Sequence, residues 1–189
     1  MEDTRSIKTE RYTFADYMAW DDGIRYELID GLPTAMSPAP TWFHQDICLK
    51  IASQIEVFLK GKRCKVLTAP FDVRLNADEG DNTVVQPDII VICDRTKLDK
   101  KGHGCKGAPD MVAEVLSPFT AKMDKLIKYR KYLQYGVREY WIIDPDSRTV
   151  EVNLLEQGRF YKTVYGEAEI APIQVLEGCQ IDLADVFSE

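Results

Sequence analysis

Two apolar runs, residues 83–93 (TVVQPDIIVIC) and 111–116 (MVAEVL), constrain the fold of this chain more than any other feature. Both read as strands buried on two faces, and such strands belong to sheets covered by helices. Each run also carries one carboxylate, Asp88 in the first and Glu114 in the second. A carboxylate inside a buried strand must be hydrogen-bonded, paired with a cation or bound to a metal. Two such groups close together repel unless a divalent ion lies between them. An acidic metal site at Asp88 and Glu114 is the first functional expectation.

The flanking sequence supplies the helices. Thr13 can cap a short helix through Trp20, ended by Asp21-Asp22-Gly23. Residues 25–30 (RYELID) alternate, and with Gly31 and residues 34–37 they predict a β-hairpin closed by Pro38 and Pro40. Thr41 is then an N-cap, and Ile47, Ile51, Ile55 and Phe58 recur at helical spacing up to Gly61. Strands are predicted at 64–69 and 71–75. A second long helix is predicted over 122–135, with Met123, Leu126, Ile127, Tyr129 and Leu133 on its inner side and Gly136 as its stop. Residues 137–143 return as a strand, 149–155 and 160–165 form a hairpin, and 181–187 end in a short helix. This order of elements predicts one α/β (α+β) domain over residues 1–189, a mixed sheet flanked by helices.

Bulk properties narrow the partners. With 189 residues, 45% of them hydrophobic, the chain can bury a substantial core. Its formal net charge of -7 argues against tight non-specific binding to nucleic acid, which depends on Lys and Arg displacing counterions. Local basic stretches occur at 60–65, 97–106 and 122–131; the first two read as solvated surface, whereas the third adjoins the candidate site. The five cysteines are scattered with no CxxC spacing, and read as reduced thiols. His103 and Cys105 are too few for a zinc site. No apolar run is long enough to span a membrane, and the first residues, MEDTRSIKTERY, lack a signal peptide's apolar stretch, so a cytoplasmic location is expected.

Carboxylate oxygens suit a hard ion such as Mg²⁺ or Mn²⁺, which also accepts phosphate oxygens. The implied substrate is a phosphate ester, attacked by water that a nearby lysine can orient. Lys128, on the helix after the Glu114 strand, is the candidate. Asp124 lies one turn earlier, however, and on these residues alone an ordinary i,i+4 surface ion pair is the favoured explanation of both. Tyr132 extends the same stripe, lining a cleft or packing. His44 sits in the first turn of its helix, where a neutral imidazole caps or packs more readily than it ligates metal alone. Trp141 reads as core.

At this point a resemblance enters. Gln86-Pro87-Asp88, Glu114-Val115-Leu116-Ser117-Pro118, then Asp124, Lys128, Tyr132, Gly136 and Glu139-Tyr140-Trp141 resemble the Uma-two family of restriction-endonuclease-like proteins, within the PD-(D/E)xK nuclease superfamily. The likeness runs from Tyr12-Thr13 through residues 26–31 and His44 to Asp144-Pro145. It implies that Asp88 and Glu114 are the motif acids, that Glu27 is an extra acidic residue, and that the Val115 carbonyl contributes to the metal. Leu116 stands where the superfamily pattern has its lysine, and the resemblance implies that Lys128 takes over that role.

The reading is therefore a Mg²⁺- or Mn²⁺-dependent endodeoxyribonuclease with Asp88, Glu114, Lys128 and Glu27 as catalytic residues and Asp88, Glu114 and Val115 as metal ligands. His44, Asp124 and Tyr132 are site neighbours. DNA would be contacted locally through Lys122, Lys125, Lys128 and Arg130, and a homodimer would supply a second active site for the second strand. The rivals are a weak or inactive relative that only binds nucleic acid or protein, and a phosphoesterase acting on a small nucleotide.

Overall fold

The computed structural model describes residues 10–36, 39–99 and 104–188. The first nine residues, Pro38 as a hairpin stop and His103 lie outside these. Thr13 caps α1 (Phe14–Tyr17) in a capping box with Asp16, and this helix is shorter than its sequence pattern suggests. The expected hairpin forms from β1 (Tyr26–Ile29) and β2 (Leu32–Ala35), turning at Asp30-Gly31. Thr41 caps α2 (Trp42–Leu59), which buries Ile47, Ile51, Ile55 and Leu59 along one stripe.

The run at 83–93 is two strands rather than one. After β3 (Lys65–Thr68) and β4 (Asp72–Arg74), β5 (Val84–Val85) pairs with β1 and β4, while β6 (Ile89–Ile92) pairs with β3 in a different sheet. The chain changes sheet at Gln86-Pro87-Asp88 because Pro87 has no N–H to give a ladder. Asp88 therefore stands at a joint between strands and not inside one, as the sequence had suggested. Two further strands, β7 (Gly104–Lys106) and β8 (Met111–Val115), precede the second long helix.

That helix begins as a π-helical turn, Met123–Lys128, and continues as α3 (Tyr129–Tyr135), stopped by Gly136 at φ 79°. Its inner side differs in part from the expected one: Tyr129 packs against the core and Met123 and Leu133 are half-buried, but the other two apolar positions turn outward. Leu126 and Ile127 are 52% and 41% exposed, while Asp124, Lys128 and Tyr132 are buried. The polar stripe faces inward because the sheet beneath it presents acids that need partners. Tyr140 also donates its hydroxyl to the Asp124 carbonyl at 3.1 Å, inside the widened turn.

The chain closes with β9 (Glu139–Asp144), β10 (Thr149–Glu156), β11 (Arg159–Gly166), β12 (Ile170–Ile173), β13 (Cys179–Asp182) and α4 (Leu183–Val186). The larger sheet has the order β11-β10-β9-β8-β6-β3, with β8 and β9 parallel and the other pairs antiparallel. The smaller is β2-β1-β5-β4-β7, and β12 and β13 pair alone. Side chains alternate across the larger sheet. Ile89, Val91, Met111, Ala113, Val115, Trp141 and Ile143 face α2, β12, β13 and α4. Ile90, Ile92, Val112, Tyr140 and Ile142 face α3 and the smaller sheet. Trp141 is core, its Nε1 donating to Glu139 at 2.6 Å.

The expectation of five reduced thiols fails for one pair. Lys65 opposes Ile92, so Cys64 and Cys93 meet on the next rung, 3.9 Å apart at Cα, and form a disulfide. Their separation of 29 residues conceals this in sequence. Cys48, Cys105 and Cys179 are free. No helix among the described residues is long and apolar enough to cross a membrane.

Candidate active site

Glu114 sits on β8 with the parity of Val112, so its side chain enters the α3 face of the sheet and not the α2 face. Its Oε1 accepts from Lys128 Nζ at 3.0 Å and from the Tyr132 hydroxyl at 2.7 Å. Lys128 Nζ also lies 3.0 Å from Glu27 Oε1 and 3.4 Å from Asp124 Oδ1. The side chains of Glu27, Glu114, Asp124 and Lys128 are all buried. Lys128 thus makes the i,i+4 contact with Asp124, but underneath the helix, where it also joins β1 to β8.

Glu27 is held by β5 as well, since its Oε1 accepts the Gln86 N–H at 2.8 Å. Gln86 in turn accepts from Arg25 and donates to Asp72 Oδ1 (2.8 Å) and the Tyr17 hydroxyl (3.1 Å). The Gln86-Pro87-Asp88 joint therefore fixes an acid on each side of the larger sheet's rim. Asp88 Oδ2 accepts the Val115 N–H at 2.8 Å and faces His44 Nε2 at 3.3 Å. His44 Nδ1 meets Cys48 Sγ, one turn along α2, at 3.7 Å.

Proton affinities follow from this crowding. Burial raises the Glu114 pKa well above the usual carboxylate range; Lys128 opposes the shift, and Asp124, Asp88 and Glu27 add to it. Asp124 is raised by burial in the same way. Burial works against a charged Lys128, but Glu114, Glu27 and Asp124 outweigh it and hold the ammonium well above its ordinary value. Burial and the neighbouring Glu114 push the Tyr132 phenol up, so it remains a donor. Burial also lowers His44, but its hydrogen bond to Asp88, the Asp88 charge and the Val115 carbonyl outweigh that and raise it. The Cys48 thiol is pushed up by burial and by Asp88 and Glu114.

Four carboxylates thus surround one ammonium and one imidazole. Asp124 Oδ1 is buried and receives no hydrogen bond among the described residues. Such a surplus of buried negative charge fits a divalent cation, and carboxylate and carbonyl oxygens are the donors a hard ion takes. Asp88, Glu114 and the Val115 carbonyl are of that type. Among the described residues, His44, Cys48 and Asp88 offer donor atoms all within 4.8 Å of one another. Glu114, tied to Lys128 and Tyr132, stands outside that trio.

The residues singled out from sequence fall into two linked groups. Glu27, Glu114, Asp124, Lys128 and Tyr132 come together inside the α3 face, and Asp88, His44 and Val115 meet at the rim. The basic stretch divides: Lys122, Lys125 and Arg130 are exposed, but Lys128 is interior and is not a surface contact. Lys125 lies 3.7 Å from Asp144. Sequence reasoning gave Cys48 and Gln86 no role at the site. Cys48 could have been found from its four-residue spacing to His44; the role of Gln86 depends on its backbone, which no side-chain pattern reports.

The profile of a family described as "Putative restriction endonuclease", Uma2, matches residues 14–184. Among solved structures, one from Anabaena variabilis ATCC 29413, described as "a putative nuclease belonging to DUF820", is 22% identical with a TM-score of 0.74, covering 93% of this chain and 97% of its own. At that identity the likeness establishes the fold. No functionally curated protein matches the chain.

Proposed function

The chain belongs to the Uma2 family, and from that premise we propose that it is a divalent-metal-dependent endodeoxyribonuclease, acting as one domain over residues 1–189. The observation that carries this reading is the buried Lys128 ammonium held at 3.0 Å by both Glu27 and Glu114, next to the strand whose Val115 N–H binds Asp88. An isolated surface ion pair accounts for none of this burial. Asp88, Glu114 and the Val115 carbonyl would hold Mg²⁺ or Mn²⁺. At that position a divalent ion would supply polarisation of a phosphoryl oxygen and a lowered pKa for coordinated water.

The protein's own groups do the rest. Lys128 orients the attacking water and offsets charge developing on the phosphate. Glu27 holds the ammonium from the opposite side, and Tyr132 fixes the rotamer of Glu114. Lys122, Lys125 and Arg130 supply the local basic contact that a chain of net charge -7 needs to meet DNA. A second copy, docked through the C-terminal strands β10 and β11, would serve the second strand of a duplex.

Cleavage of supercoiled, linear and single-stranded DNA in Mg²⁺ or Mn²⁺ tests this reading. Asp88→Ala and Lys128→Ala should each lose at least about 10²-fold in rate. Equal traces from all three proteins would be contamination and would remove the nuclease claim. A second reading is favoured by the same ion pairs, because Lys128 is already committed to two carboxylates: a nuclease fold that binds nucleic acid or protein without cutting. Metal binding with no cleavage of any substrate would select it.

A further inference from the structure

We propose that His44 is a nitrogen ligand, through Nε2, for the divalent cation of this site, so that the site is a mixed nitrogen and oxygen centre that selects Mn²⁺ over Mg²⁺. The inference rests on the metal-dependent reading above and adds a ligand to it. His44 Nε2 lies 3.3 Å from Asp88 Oδ2. Two donors to one cation, each about 2.1 Å from it at a right angle, lie about 3 Å apart, so this spacing suits a shared ion. Asp88 Oδ2 also accepts the Val115 N–H at 2.8 Å, so a nitrogen, a carboxylate and the Val115 backbone meet at one place on the rim.

The ring is also preset. Thr41 Oγ1 accepts the His44 backbone N–H at 3.2 Å, which fixes the first turn of α2. Cys48 Sγ takes up the Nδ1 side at 3.7 Å. That leaves Nε2 turned to Asp88, and the His44 side chain is only 14% exposed. Metal-ligating histidines are held in this way, with the second nitrogen engaged so that the first points at the metal. An imidazole in the donor set favours transition ions over Mg²⁺, which prefers oxygen and gives up water reluctantly. Glu114, Asp88 and Val115 alone would not discriminate in that direction.

Pulsed EPR on the full chain loaded with Mn²⁺ separates a ligand from an ordinary His–Asp ion pair. The chain has two histidines, so labelling both with ¹⁵N histidine gives a clean assignment. A directly coupled nitrogen that switches from ¹⁴N to ¹⁵N character on labelling, and that disappears in His44→Gln, is the expected result. His44→Gln should weaken Mn²⁺ by about tenfold or more and change Mg²⁺ by no more than about threefold. Cys48→Ser should keep the nitrogen coupling. Bound Mn²⁺ without nitrogen coupling in the wild type would overturn the ligand assignment and leave the nuclease reading standing. So would coupling that persists in His44→Gln, since it would then come from His103. Failure to bind Mn²⁺ at all would remove both.

Discussion

The two faces of the larger sheet are covered in opposite ways. On one, α2 lays down Ile47, Ile51, Ile55 and Leu59 at regular helical spacing over Met111, Ala113, Val115 and Trp141, an apolar contact that gives way to a polar one only at the rim, where His44 meets Asp88. On the other, the π-helical turn and α3 leave Leu126 and Ile127 to solvent and bury Asp124, Lys128 and Tyr132 against Glu114. The first face is held by area removed from water, which is tolerant of detail. The second is held by mutual satisfaction of charges that are costly to bury, and it fails when one partner is lost. π-turns are rare and are found disproportionately at functional sites. Here the turn lies between Asp124 and Lys128, the two residues it carries into the interior.

The sharpest way to break this contrast is Lys128→Ala. It leaves Glu27 and Glu114 buried without their cation, and a loss of about 3–5 kcal/mol in urea unfolding is expected. The combined change Glu27→Gln, Glu114→Gln and Lys128→Met should recover most of that stability while metal binding is weakened by loss of the Glu114 carboxylate. If Lys128→Ala were as stable as wild type, the polar face would not be holding the helix. The matching change on the apolar face, Ile51→Ala, should cost about 2–5 kcal/mol through its cavity. Unlike Lys128→Ala, it should leave the Mn²⁺ affinity of the folded protein unchanged by calorimetry.

A finer test uses pH. Glu114 and Asp124 have raised native pKa values, so above the unfolded-state values near 4 the native protein holds more protons than the unfolded chain. Their contribution to stability is present below about pH 4 and is lost as pH rises toward the native values. Metal-free protein unfolded in urea from pH 4 to 7 should show that slope, flattened in Glu114→Gln. Ile51→Ala should shift the whole curve and keep its slope. The smallest effect belongs to Leu126→Gln and Ile127→Gln, each within about 0.5 kcal/mol of wild type. A large loss there would mean that the exposed apolar side of the helix is buried in solution, against a second copy or another surface.

Much of the fold was legible because it is written in local patterns. The capping residues Thr13 and Thr41, the Asp30-Gly31 turn, the stripe of isoleucines on α2 and the hairpin of β10 and β11 all follow from spacing of two or four residues. Glu114 was conspicuous for the same reason, as one acid within a five-residue apolar strand. The division of 83–93 into β5 and β6 was signalled by Pro87 but overridden by the hydrophobicity around it. β7, a three-residue strand paired in parallel to β4, has too little sequence of its own to announce itself. Counting apolar residues put Leu126 and Ile127 on the inner side of the second helix, because a hydrophobic stripe registers only residue type and not what waits across the interface.

The site divides along the same line. From the sequence alone come an acid in a buried strand, a second acid beside a proline, and the four-residue spacing of Asp124, Lys128 and Tyr132. Whether Lys128 turns outward to water or inward to Glu27 and Glu114 is undetermined at that level, since its local neighbour Asp124 is the same in both cases. Cys64 and Cys93 are undetermined likewise until β3 and β6 come into register. These were decided by tertiary structure because the free energy of a buried charge depends on every group packed around it. Those groups, Glu27 on β1 and Glu114 on β8, come from parts of the chain far from Lys128 in sequence.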